Sequence, residues 1–301
     1  MKSRKVGSRL TRGDITFDTI NYIILALLVI VTLYPFINTL AVSFNDSVDS
    51  TRGGIYLLPR KFTLYNYKNI LSESAIYGAT LISVLRALIG SVLNVLASLI
   101  VAYAISKKDF VFRKFYSRIF IFSMYFSAGL IPGYLWIKDL GLRNNFLVYV
   151  LPAIVSAWNI MVVRSYIDGL PGSIVESAKI DGASETRIIF SIIFPLSLPV
   201  LATITLFVAV GQWNSWFDTM LYCSSVQSLS TLQYELQKVL QSTQALQMQN
   251  AFVKHPDGSG SVTPLSIKAT MTIIAIVPIL CVYPFLQKYF VKGLTLGGVK
   301  G

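Results

Sequence analysis

The chain has 301 residues, of which 54% are apolar and only 13% charged, with a mean hydropathy of +0.62 and a formal net charge of +12. Soluble domains carry roughly 25% charge, so this composition cannot cover a globular surface; two cysteines are too few for a secreted disulfide scaffold, and the apolar content excludes a disordered chain. A polytopic membrane protein remains, and the placement of the basic residues decides whether +12 reports nucleic-acid binding or membrane topology.

The first apolar block runs from about residue 20 to 44, behind Arg4, Lys5, Arg9 and Arg12. A span needs about 20 residues, whereas the apolar core of a signal peptide has roughly 7–15. The block therefore reads as a retained helix, although Ala41-Val42-Ser43 resembles a cleavage site. Further spans are predicted at about 75–106, 119–137, 146–166, 188–212 and 269–290. Six helices with both termini cytoplasmic put 16 Lys and Arg inside and 9 outside, with Arg86 within the second span. This excess is topological, and no nucleic-acid partner is expected. The resulting organisation is a cytoplasmic N-terminus (1–20), a transmembrane region (21–290) and a cytoplasmic tail (291–301).

The outer loop 213–268 is the longest. Leu229, Leu232, Leu236, Val239 and Leu240 at helical spacing predict an amphipathic helix there, either capping the membrane region or docking a partner. Asp257-Gly258-Ser259-Gly260-Ser261 reads as a flexible turn.

The inner loop 168–190 is longer than a connection between two spans requires. Pro171-Gly172 stops the fourth span. Ser173 with Glu176 three residues on predicts a capping box and a new short helix. Gly182 permits a turn, and Ser184 can cap a second helix leading towards Pro195. Two short amphipathic helices at an angle suit a lipid surface or a soluble partner's groove.

Glu176-Ser177-Ala178, Gly182, Ile192 and Pro195 fall at the spacing Glu-Ala-Ala-x3-Gly-x9-Ile-x-Leu-Pro. This resembles the "EAA" loop of bacterial ABC-importer permeases; Ser177 and Phe194 depart mildly from the usual Ala and Leu. The stretch 178–183 and Phe194-Pro195-Leu196 resemble the carbohydrate-importer branch, and residues 287–301 resemble the tail of its maltose-type "G" subunits. Leu33-Tyr34-Pro35-Phe36, Tyr65-Asn66-Tyr67 and Trp213–Asp218 look like the subgroup that imports complex oligosaccharides.

The resemblance implies an all-α type I permease fold with six spans and a cytoplasmic coupling helix. It implies a lever role for Glu176, Ser177, Ala178, Asp181, Gly182 and Ala183, and ATPase contact by Lys292, Gly293, Gly297 and Gly298 in the tail. The implied partners are a second homologous permease, two copies of an ABC ATPase and an extracytoplasmic solute-binding protein, in a bacterial cytoplasmic membrane. The implied substrate is an oligosaccharide, acidic or uronate-containing sugars included. An ion-gradient-driven secondary carrier is the alternative, but no internal repeat and no acid within a span supports it.

The chain contains no Gly-x4-Gly-Lys-Ser/Thr loop, and His255 is its single histidine. No enzymatic centre, metal or bound cofactor is expected; ATP and Mg belong to the partner ATPase. Arg86 reads either as a structural ion pair or as a contact for an anionic sugar. Asn94, Asn159 and Gln212 are cavity groups or interhelical glue. Trp213, Trp216 and Tyr222 mark the outer end of the fifth span, where an aromatic belt is expected and sugar stacking is the alternative; Trp213 and Asn214 are also candidates for the substrate path.

Overall fold

The structure is a computed structural model that describes residues 12–248, 253–254 and 261–297. His255, the turn at 257–260 and Gly298 lie outside the described residues, and of Lys292, Gly293 and Gly297 only the helical backbone is described. Among the described residues, apart from one antiparallel pair of two-residue strands, Val253–Lys254 and Ser261–Val262, and an isolated bridge between Asn45 and Phe62, all regular structure is helical. The chain divides into two compact units: the described residues of Met1–Ile70 with Ser242–Ile273, and those of Leu71–Gln241 with Ile274–Gly301.

The first unit opens with α1 (Arg12–Ser43), 32 residues long and therefore about 48 Å at 1.5 Å per residue. None of its most apolar window is buried within the chain, as befits a helix that is hydrophobic all round. After it, α2 (Ser47–Thr51) is capped by Asp46, whose carboxylate accepts from the Asp49 amide at 2.9 Å. The segment up to α3 (Tyr65–Leu71) is organised by fully buried Asn66. Its amide nitrogen donates to the Ser43 and Asn45 carbonyls at 3.0 and 2.9 Å, and its oxygen accepts from the Ser47 hydroxyl at 2.7 Å. Asp49 accepts from Asn45 and pairs with Arg60 at 3.0 Å. The Asn45 amide holds the Asp49 carboxyl below its ordinary range; burial opposes this and Arg60 reinforces it.

In the second unit α4 (Ser74–Ser106) is a continuous helix of 33 residues. The predicted third span is instead two helices, α5 (Arg113–Tyr125) and α6 (Leu130–Asp139), bent by 117°. Gly129 has φ +91 at the break, and Pro132 fits only the first turn of α6. The fourth block is likewise interrupted. Short 3-10 turns at Phe146–Tyr149 and Leu151–Ala153, the latter carrying Pro152, meet α7 (Ala157–Asp168) at 44°.

Next come α8 (Gly172–Ile180) and α9 (Glu185–Arg187), which continues through a π-helical turn at Ile188–Ile193 into α10 (Phe194–Leu196). α11 (Leu198–Asn214) leaves at 82°, so the fifth block also turns sharply rather than crossing straight. Pro195 and Pro199 lack the amide hydrogens that would carry one helix through this elbow. Two more helices follow, α12 (Leu232–Met248) and α13 (Pro264–Gly297). Among the described residues, three helices are long and apolar enough to cross a membrane, or up to six if each bent pair is one span.

The core of the second unit joins Val95, Leu99, Ala102 and Tyr103 of α4 with Ile160, Val163 and Ile167 of α7 and Leu201 and Ile204 of α11. Ala178 and Ile188, from the inner loop, are buried in the same cluster.

Candidate coupling segment and outer cavity

The inner loop is rigid for local reasons. Pro171, not Ser173, precedes α8, and its carbonyl accepts from Ile174 at 3.2 Å. The expected capping box is absent because Ser173 already lies within the first helical turn; the Glu176 carboxylate lies back towards Gly172 instead. Gly182 has φ +76, in the left-handed region. Around it the Ala183 amide donates to the Ala178 carbonyl at 2.9 Å and the Gly182 amide to the Lys179 carbonyl at 3.1 Å. These two bonds make a Schellman motif, which satisfies the last carbonyls of α8 and fixes the turn. Ser184 caps α9 as expected, accepting from the Arg187 amide at 3.4 Å.

The predicted coupling residues separate into two groups. Ala178 is buried and Ala183 half-buried against the unit's own core. Glu176, Ser177, Asp181 and Gly182 are exposed, and Ile180 beside them is 86% exposed. The alanines thus moor the segment, while its outer face presents one large apolar side chain among polar ones.

A cavity of about 540 Å³ is lined by Arg86, Asn94, Asn159, Gln212, Asp218 and Tyr222, among others. Arg86 is 2% exposed. Its Nε donates to Gln212 Oε1 at 3.0 Å and one terminal nitrogen to the same oxygen at 2.9 Å. The guanidinium also grips both Asp218 oxygens, at 2.5 and 3.2 Å, and reaches the Ser215 carbonyl at 3.3 Å. Five contacts use all five of its N–H groups, and its face lies 4.5 Å from the Tyr149 ring centroid. Every donor of the guanidinium is thus engaged within the chain.

The amides are engaged too. Asn159 donates to Asn94 at 2.6 Å, Asn94 to the Ala153 carbonyl at 2.7 Å, and Gln212 to the Tyr149 carbonyl at 3.2 Å. Asn214 accepts from Gln233 at 3.2 Å. Trp213 corrects the expectation of an interfacial belt: it is 7% exposed and donates its indole N–H to the Ala275 carbonyl at 3.0 Å. It lies away from the cavity, in an apolar groove with Pro278 and Ile279 of α13. Tyr222, by contrast, faces the cavity and stacks on Tyr134 at 5.9 Å. The predicted outer helix begins at Leu232, because Gln227–Leu229 forms a 3-10 turn. Its first turn is sewn to α4 by the Leu232 amide donating to Ser83 at 2.9 Å.

Sequence reasoning missed Asp218, Ser215 and Tyr149. The available signal was a lone buried arginine that needs a counter-charge, with Asp218 the acid nearest the outer end of α11.

Residues 94–296 match the family described as the binding-protein-dependent transport system inner membrane component. Over 286 residues the chain is 35% identical to the polygalacturonan/rhamnogalacturonan transport system permease protein YtcP of Bacillus subtilis (strain 168), covering 95% of this chain and 98% of that protein. It is also 35% identical, over 296 residues and 97% of each chain, to Protein LplC of the same organism. A chain in the crystal structure of a bacterial ABC transporter involved in the import of the acidic polysaccharide alginate aligns with a TM-score of 0.83. The identity there is 28%, covering 94% of this chain and 99% of that one.

The chain belongs to the binding-protein-dependent transport system inner membrane component family. It is a multi-pass inner-membrane permease of an ABC importer complex, and the ATPase of that complex is a separate subunit.

Proposed function

We propose that this chain forms half of the translocation path of an ATP-driven importer of carboxylate-bearing oligosaccharides, with residues 168–190 as the lever. The partners of this reading are a second homologous permease, two copies of the ATPase, which hold ATP and Mg, and an extracytoplasmic binding protein. Both termini face the cytoplasm, and residues 291–301 contact the ATPase. The observation that carries the lever is the bend fixed at Gly182, which holds Ile180 out at 86% exposure between Glu176 and Asp181. An exposed isoleucine on a rigid, polar-rimmed turn suits a partner's groove. The acidic substrate class rests on the likeness to the polygalacturonan/rhamnogalacturonan permease and to the alginate transporter.

The test is reconstitution of the full complex in liposomes with galacturonate oligomers and neutral oligosaccharides of equal length. ATP-dependent uptake that favours the acidic series is expected. Uptake that persists with a hydrolysis-dead ATPase would overturn the lever and favour an ion-driven carrier; preference for the neutral series would overturn the substrate class.

A further inference from the structure

Glu185 lies just past the bend, at the start of α9. One carboxylate oxygen pairs with Lys107 Nζ at 2.5 Å, and the other accepts from the Tyr103 hydroxyl at 2.8 Å. Both donors come from the inner end of α4, and the Lys107 ammonium stands 5.0 Å from the Tyr103 ring centroid. Tyr103 is only 3% exposed, so packing fixes the position of its hydroxyl. A second, looser pair, Lys179 with Asp109 at 3.9 Å, links α8 to the residues after α4.

We propose that Glu185, gripped by Tyr103 and Lys107, is the positioning residue through which motion of the inner loop is handed to α4. The Schellman turn and the Ser184 cap make α8 and α9 one rigid piece. That piece touches α4 by buried apolar contacts, which resist separation but are non-directional. The carboxylate supplies what they lack. Two donors from one helix end converge on its two oxygens and set the rotation of α9 about α4. The Glu185 and Lys107 side chains are 51% and 23% exposed. Ion pairs this exposed add little to stability, so the cluster serves alignment rather than folding. The lever role of the loop is the reading proposed above, and this inference rests on it.

The experiment compares sugar imported per ATP hydrolysed in liposomes holding the complete transporter. Glu185→Gln keeps the Tyr103 contact but loses the charge; Tyr103→Phe removes one hydrogen bond from an otherwise intact core. Both are expected to assemble normally and to lower the import-to-hydrolysis ratio several-fold. The exchanged pair Glu185→Lys with Lys107→Glu is expected to restore part of the ratio lost in either single change. An unchanged ratio in both Glu185→Gln and Tyr103→Phe overturns the proposal. So do import and hydrolysis that fall together in proportion to assembled complex, which marks a structural role. If the unaltered complex itself moves no sugar with ATP, the lever reading has failed, and the clamp falls with it.

Discussion

Gly182 sits where side chains cost most. At φ +76 a residue with a β-carbon is strained by about 1–2 kcal/mol, a β-branched one by more, whereas asparagine tolerates this region. No atom lies within 4 Å of an added β-carbon, so the penalty is conformational and not steric crowding by neighbours. Gly182→Val is expected to reach the membrane in normal amount and lose most uptake, while Gly182→Asn retains much of it. Equal uptake in both, measured against membrane-inserted protein, would remove the conformational argument. Arg86 leads to a different expectation. Its donors are all spent within the chain, and removing it leaves a partly buried Asp218 carboxylate and the Gln212 oxygen without their donor. Arg86→Ala should therefore depress yield, and uptake of acidic and neutral sugars alike; a loss confined to acidic sugars would show a direct contact. Asp49 carries a pH dependence. Its carboxyl is held low by the Asn45 amide, so its contribution is complete above the unfolded value of about 3.9 and is lost as pH falls through the lower folded value. Amide-exchange protection in residues 43–66, taken relative to the intrinsic rate at each pH, should fall below about pH 4, and Asp49→Asn should flatten that fall.

Among the elements, the turn chemistry was the most legible in the sequence. Gly182 and Ser184 act as their residue types dictate. Ser173 misled because Pro171 starts α8 two residues earlier. The breaks inside spans were harder to see. Gly129, Pro132, Pro195 and Pro199 are all visible, yet each lies in an apolar run whose length alone satisfies a membrane span. Hydropathy sees thickness and is blind to direction. Pro132, Pro195 and Pro199 sit in first helical turns, where a missing amide hydrogen costs little, and each bars the preceding helix from running straight through. Pro199→Ala is expected to leave insertion unchanged and to lower uptake several-fold by letting the elbow straighten; full activity would mean the 82° turn is fixed by packing alone.

At the level of the whole molecule, composition and periodicity sufficed for the class, because a membrane chain states its solvent in its sequence. The partners of the buried polar residues were not legible. Arg86 meets Asp218 across 132 positions, and Tyr103 meets Glu185 across 82. Separations of that kind are fixed by packing and leave no periodic trace. The importer reading also predicts that this chain, reconstituted alone, moves no solute uphill in a flux assay.

One helix stands apart. Every other candidate span contains a proline or a break, but α4 runs unbroken and free of proline over 33 residues. It carries Tyr103 near its C-terminal end and Arg86 close to its middle. Those positions are separated by about 26 Å at 1.5 Å per residue. A stiff rod of that kind has a mechanical gain. Tilting it by about 10° at the inner end would sweep the cavity wall sideways by ~4–5 Å over that length, comparable to the width of a sugar ring. On the lever reading, a small rotation delivered at the Tyr103 end would be converted, without any intervening joint, into a displacement on the scale of a sugar.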